Sequence, residues 1–160
     1  MKKILSLTLA LAMIGTILTG CGAKDAAVKI PAENTQQEQS QTEKALALIN
    51  TFATGDTDTA RSLLSDGYIQ HNSAIADGVF GLNAALGALA EQGISMVYDE
   101  VHMVLAQGNF ILAVSEGTFG GAPTSYYDLW RVENGKIAEH WDVMETIADK
   151  STWQNENGKF

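Results

Sequence analysis

The chain has 160 residues, one cysteine, two prolines, 15 glycines and a formal net charge of −9. A single cysteine excludes an internal disulfide framework and a thiolate zinc cluster, and ten basic residues against 19 acidic ones leave no basic face for a nucleic acid. With 46% hydrophobic residues the chain can bury a core, and its length suits one domain.

Lys2 and Lys3 precede an uncharged, mostly apolar run from Ile4 to Leu18. The run is shorter than the ~20 residues of a membrane span. It ends at Leu18-Thr19-Gly20-Cys21, small residues before a cysteine, which resembles a bacterial lipobox. Positive region, apolar region and lipobox together predict a lipoprotein signal peptide over residues 1–20. In that class of signal the cysteine is lipidated and becomes the first mature residue. Cys21 is therefore expected to carry acyl chains such as palmitate, and not to act as a nucleophile or ligand. Each buried acyl methylene contributes about 0.8 kcal/mol of membrane affinity. Loss of two lysines leaves a mature charge of 8 − 19 = −11. Anionic headgroups repel such a body, so the membrane is expected to be met through the lipid alone. The expected location is the bacterial cell envelope, after export. In a diderm bacterium Gly22, standing where Asp is absent after the cysteine, favours the outer membrane.

Residues 21–40 are polar and include Pro31, as in a flexible tether. A folded domain is expected over residues 41–148, and a polar tail carrying Trp153 and Phe160 over 149–160. Ser40-Gln41-Thr42-Glu43 matches a capping box. Ala45, Leu48, Ile49 and Phe52 follow at helical spacing. Gly55 ends this helix, and Asp56 caps a second one carrying Ala60, Leu63 and Leu64. Tyr68 to Asn72 is extended. A third helix follows Asp77-Gly78, with Val79, Leu82, Leu86 and Leu89 on one side. Its small residues (Gly81, Ala84, Ala85, Gly87, Ala88) predict close packing on a sheet. After Gly93 the period changes to two. Strands are expected over Ile94–Ala106, Phe110–Phe119, Thr124–Val132 and Lys136–Thr146, with a bulge at Asp99-Glu100. Helices first and an antiparallel meander after give an α+β fold.

The densest polar and aromatic cluster is Tyr126-Tyr127-Asp128-Leu129-Trp130-Arg131 with Glu139-His140-Trp141-Asp142, the two strands of one hairpin. Two registers are open. A three-residue Glu133-Asn134-Gly135 loop with a bulge pairs Val132 with Lys136 and Asp128 with His140. It places Asp128, Trp130, His140 and Asp142 on one face. A two-residue Asn134-Gly135 turn instead sets Asp128 and Trp130 beside Glu139 and Trp141. The first is preferred because it gathers two carboxylates, an imidazole and an indole on one wall. A carboxylate in an apolar cavity can move a proton at neutral pH. A histidine beside it can donate to a developing enolate oxygen. The plainer reading pairs Asp128 with a basic side chain or backbone amide and leaves His140 as a polar edge residue.

A metal site is not expected: there is no HExxH, and His71 and His140 are far apart in sequence. His102, on an alternating strand, is expected to face solvent. No glycine-rich phosphate loop and no GxSxG are present, and Ser115-Glu116-Gly117 falls mid-strand.

Three segments carry a resemblance: Tyr68-Ile69-Gln70-His71-Asn72, Asp77-Gly78-Val79-Phe80-Gly81-Leu82, and the run from Asp128 to Asp142, Asp-Leu-Trp-Arg-Val-Glu-Asn-Gly-Lys-Ile-Ala-Glu-His-Trp-Asp. They resemble the SnoaL-like branch of the nuclear transport factor 2-like superfamily, over about Thr42 to Ile147. The resemblance implies a cystatin-like cone: a curved antiparallel sheet wrapped around three helices, with a pocket at its open end and frequent dimers through the sheet. Such relatives include polyketide cyclases, ketosteroid isomerases and dehydratases, which need no cofactor. Others only bind ligands or serve as dimerisation modules. Carried over by motif, Asp142 and His140 are the acid/base candidates, with Asp128 beside them. His71, Asn72, Trp130, Tyr68 and Tyr126 are the pocket candidates. Ser73 stands where a proline is expected after His-Asn. The implied partners are a small apolar or carbonyl-bearing ligand and a second copy of the chain. Three functions remain open: a lyase, isomerase or cyclase, a non-catalytic ligand binder, and an assembly module.

Overall fold

The computed structural model describes residues 36–160. The signal peptide, Cys21 and most of the expected tether lie outside the described residues. Three helices, α1 (Gln36–Thr54), α2 (Thr57–Leu63) and α3 (Gly78–Glu91), accompany five strands. These are β1 (Leu64–Gln70), β2 (Met96–Gln107), β3 (Phe110–Phe119), β4 (Ala122–Glu133) and β5 (Lys136–Thr146). The strands form one open, curved sheet in the order β1-β5-β4-β3-β2. All neighbours are antiparallel except β1, which adds to β5 in parallel.

The α1 helix starts at Gln36, ahead of the predicted capping box. Glutamine and glutamate favour helix, and the Glu38 carboxylate accepts from the Gly108 N–H at 2.9 Å, fastening the first turn to the β2–β3 turn. Ser40 thus lies inside the helix, where its hydroxyl accepts from Lys44 Nζ at 2.8 Å. Asp56 does cap α2, as its position predicts, and Asp77 caps α3.

Bulges bend the sheet where β2 steps past β3 on either side of Glu100. On β3, Gly117 passes beneath the Val97 carbonyl so closely that a Cβ would sit 1.9 Å from its oxygen. In α3 the small residues do not pack on the sheet: of the five, only Gly81 is buried, and a Cβ there would lie 1.8 Å from the Ala76 carbonyl oxygen. The core fills the space between α1, α3 and the inner sheet face. Ala45, Leu48, Ile49, Ile111, Trp130 and Ile137 are at its centre.

The β4–β5 hairpin corrects the preferred register. Asn134 (φ 50°) and Gly135 (φ 75°) both adopt left-handed backbone, and Glu133 pairs with Lys136. This is a two-residue turn of the I′ kind. The bulge comes later, at Ala138: Val132 pairs with Ile137, but Arg131 pairs with Glu139. Beyond it Trp130 opposes His140 and Asp128 opposes Asp142. The expected four side chains therefore do share a face, although Asp128 faces Asp142 and not His140.

The tail is also ordered against the sheet. Lys159 pairs with Glu145, and the Phe160 ring stacks on His102 at 4.1 Å. His102 is exposed, as expected, and also meets Glu116 at 3.1 Å.

Candidate functional site

Alternation along β4 and β5 sends Asp128, Trp130, His140 and Asp142 to the inner face. The β1 pairing of Gln70 with His140 brings Gln70 and Tyr68 to the same side. One continuous hydrogen-bonded network results. The Asn72 backbone N–H donates to Gln70 Oε1 at 3.0 Å, which fixes the amide so that Nε2 donates to the Tyr68 hydroxyl at 3.1 Å. The same Nε2 faces His140 Nδ1 at 3.4 Å. With Nδ1 as the acceptor, His140 Nε2–H donates to Asp128 Oδ1 at 3.1 Å. Tyr98 donates to the other Asp128 oxygen at 3.2 Å. The imidazole stacks on Trp130, 5.4 Å between centroids.

Asp128 is only 2% exposed, so it acts on its neighbours and is not itself open to a ligand. Asp142 differs. Asn72 Nδ2 donates to its Oδ2 at 2.9 Å, while its Oδ1 is buried without a hydrogen-bond partner. Burial, with the nearby carboxylates, pushes the Tyr68 and Tyr98 phenols well above their ordinary range. Burial and then Asp128 raise Tyr126 to about 12. All three phenols are therefore neutral at physiological pH, Tyr98 and Tyr126 as donors and Tyr68 as the acceptor from Gln70.

The structure brings Asp128, Trp130, His140, Asp142, Tyr68 and Asn72 together. It leaves out His71, which points to the outer sheet face. There its ring stacks on Trp141 at 4.3 Å, and its Nε2 lies 3.0 Å from Glu139. Strand parity is the reason: Gln70 faces in, so the next residue faces out. Tyr126 stands at the far end, donating to the Thr118 carbonyl at 2.7 Å, and joins only through its ring, 4.4 Å from Tyr98. Tyr98 and Gln70 are the members that sequence reasoning missed. Gln70 shares parity with Tyr68 and was open to detection on that ground. Tyr98 sits beside the bulge at Asp99, where alternation fails as a guide.

A second feature lies apart. A cavity of about 870 Å³ runs between the three helices and the start of β2. Leu48, Phe52, Leu64, Val79, Leu82 and Leu86 make it mostly apolar, with Asp56, Thr57, Arg61 and Asn83 among its polar lining. None of the predicted site residues lines it. Phe52 connects the two features, since it walls the cavity and stacks on Tyr98 at 5.6 Å. Among the described residues no group of three or more His, Cys, Asp or Glu is placed to hold a metal ion.

Solved structures share this architecture. A protein of unknown function with a cystatin-like fold from Xanthomonas campestris superposes with a TM-score of 0.56 at 24% identity, over 69% of this chain and 92% of that one. A nuclear transport factor 2-like protein of unknown function from Burkholderia xenovorans gives 0.60 at 18% identity, over 78% and 100%. IdmH from Streptomyces antibioticus, a candidate polyketide cyclase, gives 0.50 at 20% identity, over 66% and 91%. No curated protein matches the sequence significantly. The model of the SnoaL-like domain matches residues 45–140, more than half of the sequence, so the chain belongs to the SnoaL-like domain family, within the nuclear transport factor 2-like fold.

Proposed function

We propose that this domain binds a small, mainly apolar ligand, and that it does so as an exported lipoprotein held on the cell envelope through Cys21. The observation that carries the binding reading is the interhelical cavity. Its volume of about 870 Å³ lies within the range of small-molecule sites, roughly 300–1,000 Å³. Its walls are aliphatic, with a few polar groups to orient a ligand carbonyl. A thermal-shift panel of apolar carbonyl compounds tests it. A ligand at a hundred times its dissociation constant adds about 2.7 kcal/mol to stability. Leu86→Trp, which puts an indole into the cavity wall and narrows it, should reduce the shift. A panel with no shift at all would transfer the case to an assembly module.

A second reading, acid/base catalysis on a carbonyl compound, is favoured by the Asp142 Oδ1. A buried carboxylate oxygen without a donor, opposite Asp128 and beside the Asp128–His140 pair, is free to accept a proton.

The lipid-anchor reading rests on the lipobox-like Leu18-Thr19-Gly20-Cys21. Cys21→Ser should move the protein from the membrane to the soluble fraction; retention on the membrane would end that reading. The outer sheet face supports a homodimer. Across four strands, Leu105, Leu112, Leu129 and Trp141 form one apolar row, and Met103, Val114, Tyr127 and Val143 a second.

A further inference from the structure

Helix α3 is apolar on both sides. From Gly78 to Ala90 it carries no charged side chain, and Asn83 is its single polar residue. Val79, Leu82, Leu86 and Leu89 line the cavity. On the other side Phe80, Ala84 and Ala88 form an outward row at helical spacing, all of them exposed. Phe80 is 87% exposed. A helix that merely roofs a core turns polar residues outward. This one does not, in a chain with 19 acidic residues.

We propose that the outward row of α3, led by Phe80, lies in the surface of the membrane to which the chain is anchored, and that α3 is the wall past which an apolar acyl-type chain moves between the bilayer and the cavity. The proposal rests on the Cys21 anchor and on the ligand-binding reading of the cavity.

Three observations choose a bilayer as the occupant. The first is reach. Between Cys21 and Gln36 there are 36 − 21 − 1 = 14 residues, which extend at most about 50 Å. The domain is therefore held within about 50 Å of the bilayer, which keeps its exposed faces within reach of the membrane surface. The second is chemistry. From Gly78 to Ala90 only Asn83 offers a hydrogen-bonding side chain, so a protein partner would find polar groups only at the ends of the row, at Asp77 and Glu91. A lipid surface requires none. The apolar sheet face, on other elements, already provides for a second copy. The third is continuity. One helix meets the outside with Phe80 and the cavity with Val79, so a ligand leaving the bilayer meets no charged residue of α3.

The orientation of Phe80 is fixed by the fold. Asp77 Oδ1 accepts from both the Gly78 and the Gln70 N–H at 2.8 Å, pinning the first turn to β1. The helix has 14 residues, too few to span a bilayer, which takes about 20. It can only lie at the interface. Asp77 and Glu91 flank the row, so zwitterionic lipid should be preferred to anionic.

The test uses the full lipidated chain in phosphatidylcholine vesicles. Acylated Cys21 is the chain's one cysteine, so Phe80→Cys supplies a unique thiol for a nitrobenzoxadiazole label. The label at position 80 should brighten several-fold on vesicles and be quenched by spin-labelled lipid. The same label at Asp66→Cys, on a side chain 97% exposed, should stay dim. Phe80→Asp should remain in the vesicle fraction but take up a fluorescent long-chain fatty acid from vesicles about tenfold more slowly. The proposal is overturned if the vesicle-bound chain leaves label 80 open to aqueous iodide. It is equally overturned if the label brightens without lipid as protein concentration rises, which would mark a second copy. A chain that stays in the supernatant refutes the anchor itself and this proposal with it.

Discussion

Asp128 and Asp142 face each other across one strand pair, yet their side chains are supported differently. Asp128 receives Tyr98 O–H and His140 Nε2–H, both inside the fold. Removing it by Asp128→Ala strands two buried donors, each costing about 1–3 kcal/mol. Denaturant unfolding should show a loss of about 2–6 kcal/mol. Asp142 has one donor, Asn72, and one bare oxygen. Asp142→Asn keeps the shape and removes one of two like charges, so the melting temperature should hold or rise while any carbonyl-directed turnover is lost. Full turnover in that variant would remove Asp142 from the chemistry; a large fall in melting temperature would mean its charge is structural. The phenols add a pH dependence. Tyr68, Tyr98 and Tyr126 have folded pKa values raised above the ordinary value of about 10. The unfolded chain therefore releases these protons first. Stability from this source is complete below pH ~10 and falls as pH rises toward the folded values. Tyrosinate absorbance for these three should appear together with loss of the folded circular-dichroism signal. Early ionisation in a folded protein would contradict their burial.

At the level of elements, two glycines show where backbone passes backbone. Gly117→Ala drives a Cβ into the Val97 carbonyl oxygen, and neither strand can yield as a flexible side chain would. The expected cost is about 3 kcal/mol, at the upper end for overpacking. Gly67→Ala on the β1 edge meets nothing within 4 Å and should be neutral or slightly stabilising. Equal unfolding midpoints for the two variants would refute the contrast. Such close approaches are not local in sequence, and this explains what a linear reading could and could not recover. Asp56 and Asp77 cap helices through their own neighbours, so both were legible. The turn at Asn134-Gly135 was legible too, although a grouping of Asp128, Trp130, His140 and Asp142 on one wall points to the longer loop. The bulge that builds that wall lies at Ala138, where β5 also shifts against β1. A residue set by strands on both sides carries no local signature. The same holds for Ser40, whose capping pattern yields to a helix already begun at Gln36. His71 belongs to a recognisable motif, yet the parity of β1 sends it outward, to Trp141 and Glu139.

For the molecule as a whole, the inner face is shared between a polar network under the sheet and an apolar cavity under the helices, joined at Phe52 and Tyr98. The outer face carries two apolar rows across four strands. Val143, 65% exposed, closes one of them. Met103 and Leu105 are exposed as well, while Val114 opposite Met103 is buried, and exposed apolar surface of this kind marks a contact site. A second copy would satisfy it by symmetry, each sheet covering the other. Charge opposes the pairing, because the chain carries a formal net charge of −9. Salt screens that repulsion over about 10 Å at 0.1 M and leaves the apolar contact intact. Sedimentation should therefore show a dimer whose affinity rises with ionic strength. Val143→Glu adds a charge next to Glu145's strand end and should give a folded monomer at the same concentration. A parent chain that stays monomeric at high salt would leave the outer rows without a partner of their own kind. A dimer that weakens with salt would mean that ion pairs, not these rows, hold the two copies together.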